Sequence, residues 1–84
     1  MTTERIYRHN LAKFPAALLL FYDYESKDYT AYNGDAAVVA EVLGVKETTL
    51  DNAVFKSVAT VTGDIDEAID RLRAAGYTKV VTVY

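Results

Sequence analysis

The sequence contains no cysteine and only one histidine, His9. The first absence removes disulfides, thiolate metal sites and cysteine nucleophiles together, and the second removes histidine clusters as metal centres. Without cysteine the redox compartment is open but compatible with the cytosol, so a cytoplasmic location is the expectation. Long hydrophobic runs are missing too. The longest, Ala16 to Phe21, has six residues, whereas a helix needs about 20 to cross a bilayer. It follows Arg5, Arg8 and Lys13 with no small-residue cleavage site, so no membrane or targeting segment is expected. Positive charge is also scarce: nine Lys and Arg stand against twelve Asp and Glu, a net charge of −3. That balance argues against indiscriminate phosphate binding, which depends on cations displacing counterions, and leaves open a local basic patch. No Gly-rich loop ending in Lys-Ser or Lys-Thr occurs, which excludes a P-loop.

What remains is 84 residues, 51% of them apolar, enough for one small domain and too few for two. Ile6, Tyr7, Leu11 and Phe14 lie close to helical spacing, with Thr2 or Thr3 as N-cap and Glu4 in the first turn. A short amphipathic helix over 3–13 follows, ended by Pro15, which pushes its predecessor out of helical geometry. Residues 17–24 read as a buried strand, with Leu18, Leu20, Tyr22 and Tyr24 on one face and Leu19, Phe21 and Asp23 on the other. A polar turn, Glu25 to Asp28, leads to a second strand over Tyr29 to Tyr32, which makes a hairpin.

Asn33-Gly34-Asp35 breaks the chain and supplies cap candidates for a helix over 36–43 that stops at Gly44. Its apolar residues run most of the way round, so heavy cover is expected. Strands are predicted over 46–50 and 53–62, separated by the turn dipeptide Asp51-Asn52. In the second of these, Val54, Lys56, Val58 and Thr60 alternate with Phe55, Ser57, Ala59 and Val61, and either set can face the core. Asp64 and Glu67 have capping-box spacing, and Ile65, Ala68, Ile69, Leu72 and Ala75 form the buried stripe of a third helix, which ends at Gly76. Arg71 and Arg73 suit its C-terminal end. A final strand runs over Lys79 to Tyr84. The fold class is therefore α+β: one domain over 1–84, a mixed sheet flanked by three helices in the order α-β-β-α-β-β-α-β.

Three stretches also carry a family resemblance. Lys13-Phe14-Pro15 with the apolar strand ending at Phe21, the Asp35-Ala36 helix ending at Leu43-Gly44, and Asp64 to Tyr77 with its Ala-rich helix before Gly together resemble the mismatch-recognition domain of the MutS mismatch-repair family. The resemblance runs from about residue 6 to residue 83. It implies that domain's fold and a DNA-binding ancestry. The family grips a mismatch with a Phe-x-Glu motif on the second strand, and this chain departs from it. Counting back from Asp35-Ala36 places Asp28-Tyr29-Thr30 there, and counting forward from Phe21 places Ser26-Lys27-Asp28. Neither offers an apolar wedge, and Asp is repelled by phosphate, so mismatch readout of the family type is not expected.

Tyr22, Tyr24, Tyr29 and Tyr32 cluster around the hairpin and can form a stacking platform for single-stranded nucleic acid. With Asp28 and Thr30 at the motif position, and Arg5, Arg8 and Lys13 lending the first helix a positive surface, they make up the candidate DNA- or RNA-binding set. The opposing reading is ordinary sheet tyrosine and a solvated helix face, because Asp23, Glu25 and Asp28 interleave with the rings where a nucleic-acid binder needs cations. Of the carboxylates Asp64, Asp66, Glu67 and Asp70, Asp66 and Asp70 share a helix face, but Asp64 and Glu67 are better explained by capping, and a hard-metal site needs more convergent oxygens, so no metal is expected. His9, Ser26 and Ser57 sit in no catalytic context. A noncatalytic binding module without cofactor or metal is thus expected. Its partner is nucleic acid or, on the alternative reading, a protein or a second copy joined through an unpaired strand at Lys79 to Tyr84.

Overall fold

The computed structural model describes residues 3–84; Thr2, one of the two cap candidates, lies outside them. The elements follow the expected order: α1 (Thr3–Lys13), β1 (Leu18–Tyr22), β2 (Tyr29–Tyr32), α2 (Gly34–Leu43), β3 (Glu47–Thr49), β4 (Ser57–Val61), α3 (Ile65–Ala74) and β5 (Val80–Val83). The strands form one mixed sheet in the order β3-β4-β2-β1-β5. Only the β1–β5 pair is parallel, from Leu18 opposite Val80 to Phe21 opposite Val83.

Connectivity decides where the helices go. The β2-α2-β3 and β4-α3-β5 segments each join two strands of the same sense, and they start from strands of opposite sense and step in opposite directions across the sheet. The right-handed preference of such crossovers places both helices on one face. There α2 and α3 meet, and Leu18, Leu20, Ala31, Val39, Ala59, Val61, Ala68 and Leu72 form the core beneath them. The antiparallel β1–β2 hairpin has no crossover, so α1 covers the other face. Its buried Tyr7 packs ring against ring with Phe21, Tyr32 and Phe55 at centroid distances of 5.8, 5.6 and 5.1 Å. Burial of β1 on both sides explains its unbroken apolar run.

Several local expectations need correction. Leu11 is 39% exposed; the residue facing the sheet beside Tyr7 is Asn10, whose amide donates to the Ile6 carbonyl at 2.8 Å and so enters the interior satisfied. The fourth strand is shorter than the apolar alternation suggests, because Asn52 Oδ1 accepts from the Val54 and Phe55 N–H groups at 2.8 and 3.1 Å and curls residues 52–55 into a turn. Phe55 leaves the sheet register and lies against Tyr7 and Tyr32. The face of β4 left open by its alternation is decided in favour of Ala59 and Val61, which are buried under α2 and α3. Ala75 is exposed.

Helix ends follow local chemistry. Asp64 Oδ1 accepts from the N–H groups of Asp66 and Glu67 at 3.0 and 3.2 Å and opens α3. A Schellman motif closes it: Gly76 N–H donates to Arg73 and Tyr77 N–H to Leu72, with Gly76 at φ 106°. Asn33 behaves differently from an ordinary cap. It precedes α2 at φ 57°, ψ −127°, with no side-chain bond to the helix. Its amide instead donates to Tyr7 Oη and the Val54 carbonyl, both at 3.0 Å, while its Oδ1 accepts from Lys56 N–H at 2.6 Å. One side chain thereby ties α1, the start of α2 and the approach to β4 together.

Candidate binding surface

The β1–β2 hairpin carries five of the ten aromatic side chains, Phe21, Tyr22, Tyr24, Tyr29 and Tyr32. Its loop is shaped by Asp23, whose Oδ1 accepts from Glu25 N–H at 2.8 Å and Ser26 N–H at 3.4 Å. Those two donors hold the Asp23 carboxyl below the usual carboxylate range, so it is charged at neutral pH. Lys27 adopts φ 62° to return the chain, and Asp23 N–H donates to the Asp28 carbonyl at 2.9 Å.

Strand alternation divides the four hairpin tyrosines between the two faces. On the α2/α3 face, Tyr22 lies among Tyr24, Tyr29 and Tyr84 at centroid distances of 4.8, 5.1 and 5.5 Å. Tyr29 is buried, whereas Tyr24 and Tyr84 are each 69% exposed. The hydroxyls of Tyr29 and Tyr84 are 2.8 Å apart. Either hydroxyl can donate in this bond; the bond, followed by burial, pushes Tyr29 up to about 12, and the same bond lowers Tyr84. The Asp66 charge reaches both hydroxyls.

On the opposite face Tyr32 joins Phe21, Tyr7 and Phe55. Between that group and the first turns of α1 lies an open cleft of about 270 Å³, lined by Thr3, Ile6, Phe21, Asp23, Thr30 and Tyr32 and edged by Tyr22 and Tyr24. Burial, and then the Asp23 charge, raise the Tyr32 hydroxyl above its ordinary value. The cleft thus combines aromatic walls, two threonine hydroxyls and one ionised carboxylate.

The sequence-predicted set is only partly gathered here. Tyr22, Tyr24, Thr30 and Tyr32 border the cleft, but Tyr29 belongs to the other face. Asp28 is half-buried beside the loop, where its N–H donates to Ser26 Oγ at 3.3 Å. Arg5 is exposed on α1. Arg8 pairs with Glu4 at 3.1 Å, and Lys13 sits at the far end of the helix with its ammonium 5.4 Å from the centroid of the Phe14 ring. Asp23, Phe21, Thr3 and Tyr84 were not anticipated as site residues. Asp23 was legible as the acid between two tyrosines, but Tyr84 joins only because β5 docks beside β1.

A smaller recess of about 130 Å³ lies between the end of α2 and α3, lined by Leu43, Val45, Val61, Asp64, Glu67 and Arg71 among others. Its polar groups already have structural roles, Asp64 as the α3 cap and Arg71 as donor to the Val42 carbonyl at 3.0 Å. Among the described residues no group of three or more acidic or histidine side chains converges to hold a metal, and no helix is long and apolar enough to cross a membrane. No protein-family model matches this chain, and no curated protein matches it in sequence.

Proposed function

We propose that this chain is a noncatalytic binding module on a scaffold of the MutS mismatch-recognition type, and that its hairpin engages a protein rather than nucleic acid. The element order and the positions of the Asp35-Ala36 and Asp64-to-Gly76 helices support the scaffold reading. The observation that carries the partner reading is the division of the hairpin tyrosines. A stacking platform needs contiguous outward rings beside cations. Here the outward rings are Tyr24 and Tyr84, their neighbours are Asp23, Glu25 and Asp66, and Lys13 lies at the other end of α1. Exposed tyrosines with an acidic rim favour a protein surface, because tyrosine supplies rigid contact area and a hydroxyl while the carboxylates repel phosphate.

The test has two arms. Fluorescence anisotropy with mismatched duplex, single-stranded DNA and RNA at two salt concentrations is expected to show no binding at tens of micromolar, roughly the limit of useful affinity. Selection from a random peptide library is expected to yield binders whose affinity falls on Tyr24→Ala or Tyr84→Ala. Salt-sensitive binding of any of the nucleic acids, with no peptide recovered, would overturn the reading.

A further inference from the structure

The cleft between α1 and the hairpin contains the components of a site for one cationic side chain. Its volume of about 270 Å³ falls just below the roughly 300 Å³ at which small-molecule pockets begin, a size suited to a single long residue rather than a cofactor. Phe21 and Tyr32 form aromatic walls, in contact with one another at 5.6 Å between centroids. Asp23 supplies a full negative charge in a fixed position, because its Oδ1 is anchored by the loop N–H groups of Glu25 and Ser26. Thr3 and Thr30 add hydroxyl acceptors at the rim.

Resting on the protein-binding reading, the geometry points to this cleft as the receptor for an arginine side chain of the partner, its guanidinium stacked on the Phe21 and Tyr32 rings and hydrogen-bonded to Asp23. Arginine fits better than lysine for a physical reason. A planar guanidinium can lie on an aromatic face while directing N–H groups in its own plane to a carboxylate, whereas an ammonium is a compact, strongly hydrated point charge. The first turn of α1 contributes about half a positive charge near the cleft, Arg5 lies on the same turn, and Glu4 there is paired with Arg8. Among the described residues, Asp23 is the one ionised side chain in the lining of the cleft itself. An anionic residue or a phosphate is repelled by that carboxylate.

The experiment is an NMR titration of the whole chain with short Gly/Ala peptides that carry one central arginine, lysine, citrulline or glutamate. The arginine peptide is expected to shift Phe21, Thr30 and Tyr32, and citrulline, which has nearly the same shape without charge, is expected to leave them unmoved. Asp23→Asn keeps an oxygen for the Glu25 and Ser26 N–H groups, so the loop is retained. It is expected to weaken arginine binding about tenfold, the scale of one lost charge-assisted hydrogen bond. Glu25→Gln removes the same charge outside the cleft and is expected to change affinity by less than about twofold, as for a screened surface charge. Equal weakening by both variants, equal binding of citrulline, or shifts confined to Tyr22, Tyr24 and Tyr84 would overturn the assignment. If the library selection returns binders without arginine that map to Tyr24 and Tyr84, the protein-binding reading stands and the arginine site alone falls.

Discussion

Asn33 shows how much one residue contributes when its backbone and side chain are both committed. A positive φ in a residue with a Cβ costs about 1 kcal/mol or more, and the position is held because its amide bonds Tyr7, Val54 and Lys56. Asn33→Ala should lose those bonds and keep the strain, a loss of about 3 kcal/mol at roughly 1 kcal/mol per bond. Asn33→Gly relieves the strain and should cost less; urea unfolding of both variants checks the order. Asp35 makes a second prediction. Its carboxylate accepts from Leu19 N–H at 3.1 Å inside the fold, and burial raises it above its ordinary value of 3.8, partly offset by that N–H. A raised carboxyl binds its proton more tightly when folded, so its contribution is fully favourable below 3.8 and is lost as pH rises through the raised folded value. Asp35→Asn retains an acceptor without the charge. It should be at least as stable as the parent at pH 7, with the advantage vanishing in thermal melts below pH 3.8. Asp35→Ala leaves Leu19 N–H unsatisfied and should lose about 1–3 kcal/mol.

Elements were legible where their ends carry local chemistry. Asp64 and Gly76 bracket α3, and Pro15 and Gly44 end α1 and α2, because each acts on backbone groups within a few residues. Asp64→Ala should accordingly destabilise the domain by about 1 kcal/mol in chemical denaturation, whereas Asp64→Ser should recover most of that loss. Leu11 and Phe55 were less legible. Helical spacing places Leu11 near the buried stripe but does not say how far the stripe extends, and the satisfied amide of Asn10 allowed a polar residue to face the sheet instead. Strand alternation through Val54 and Phe55 was real, yet Asn52 bent the backbone before the sheet began.

Across the whole molecule the sheet ends in unlike edges. β3 is three exposed residues that include Glu47, a short and charged edge of the kind that discourages pairing. β5 carries Val80, Val81 and Val83, pairs only with β1, and is half-buried rather than exposed, since α3 packs over one side of it. Its free backbone edge makes association through a second β5 the expected mode at high concentration. Sedimentation equilibrium should therefore show a concentration-dependent dimer, weakened by Thr82→Lys; a monomer throughout the range would exclude it.

By itself the sequence determined the number and order of the elements, where the helices stop, and the α+β class, because capping and turn formation are decided by neighbours along the chain. Its scarce cations also argue against indiscriminate phosphate binding. Only the tertiary structure decided which tyrosines meet. Tyr32 went beneath α1, Tyr29 beneath the opposite face, and Tyr84 arrived beside Tyr22 from 62 residues away in sequence. Alternation says that adjacent residues part company, but not which layer each will meet; that follows from the crossovers that put α2 and α3 together and leave the cleft of Phe21, Asp23 and Tyr32 to α1.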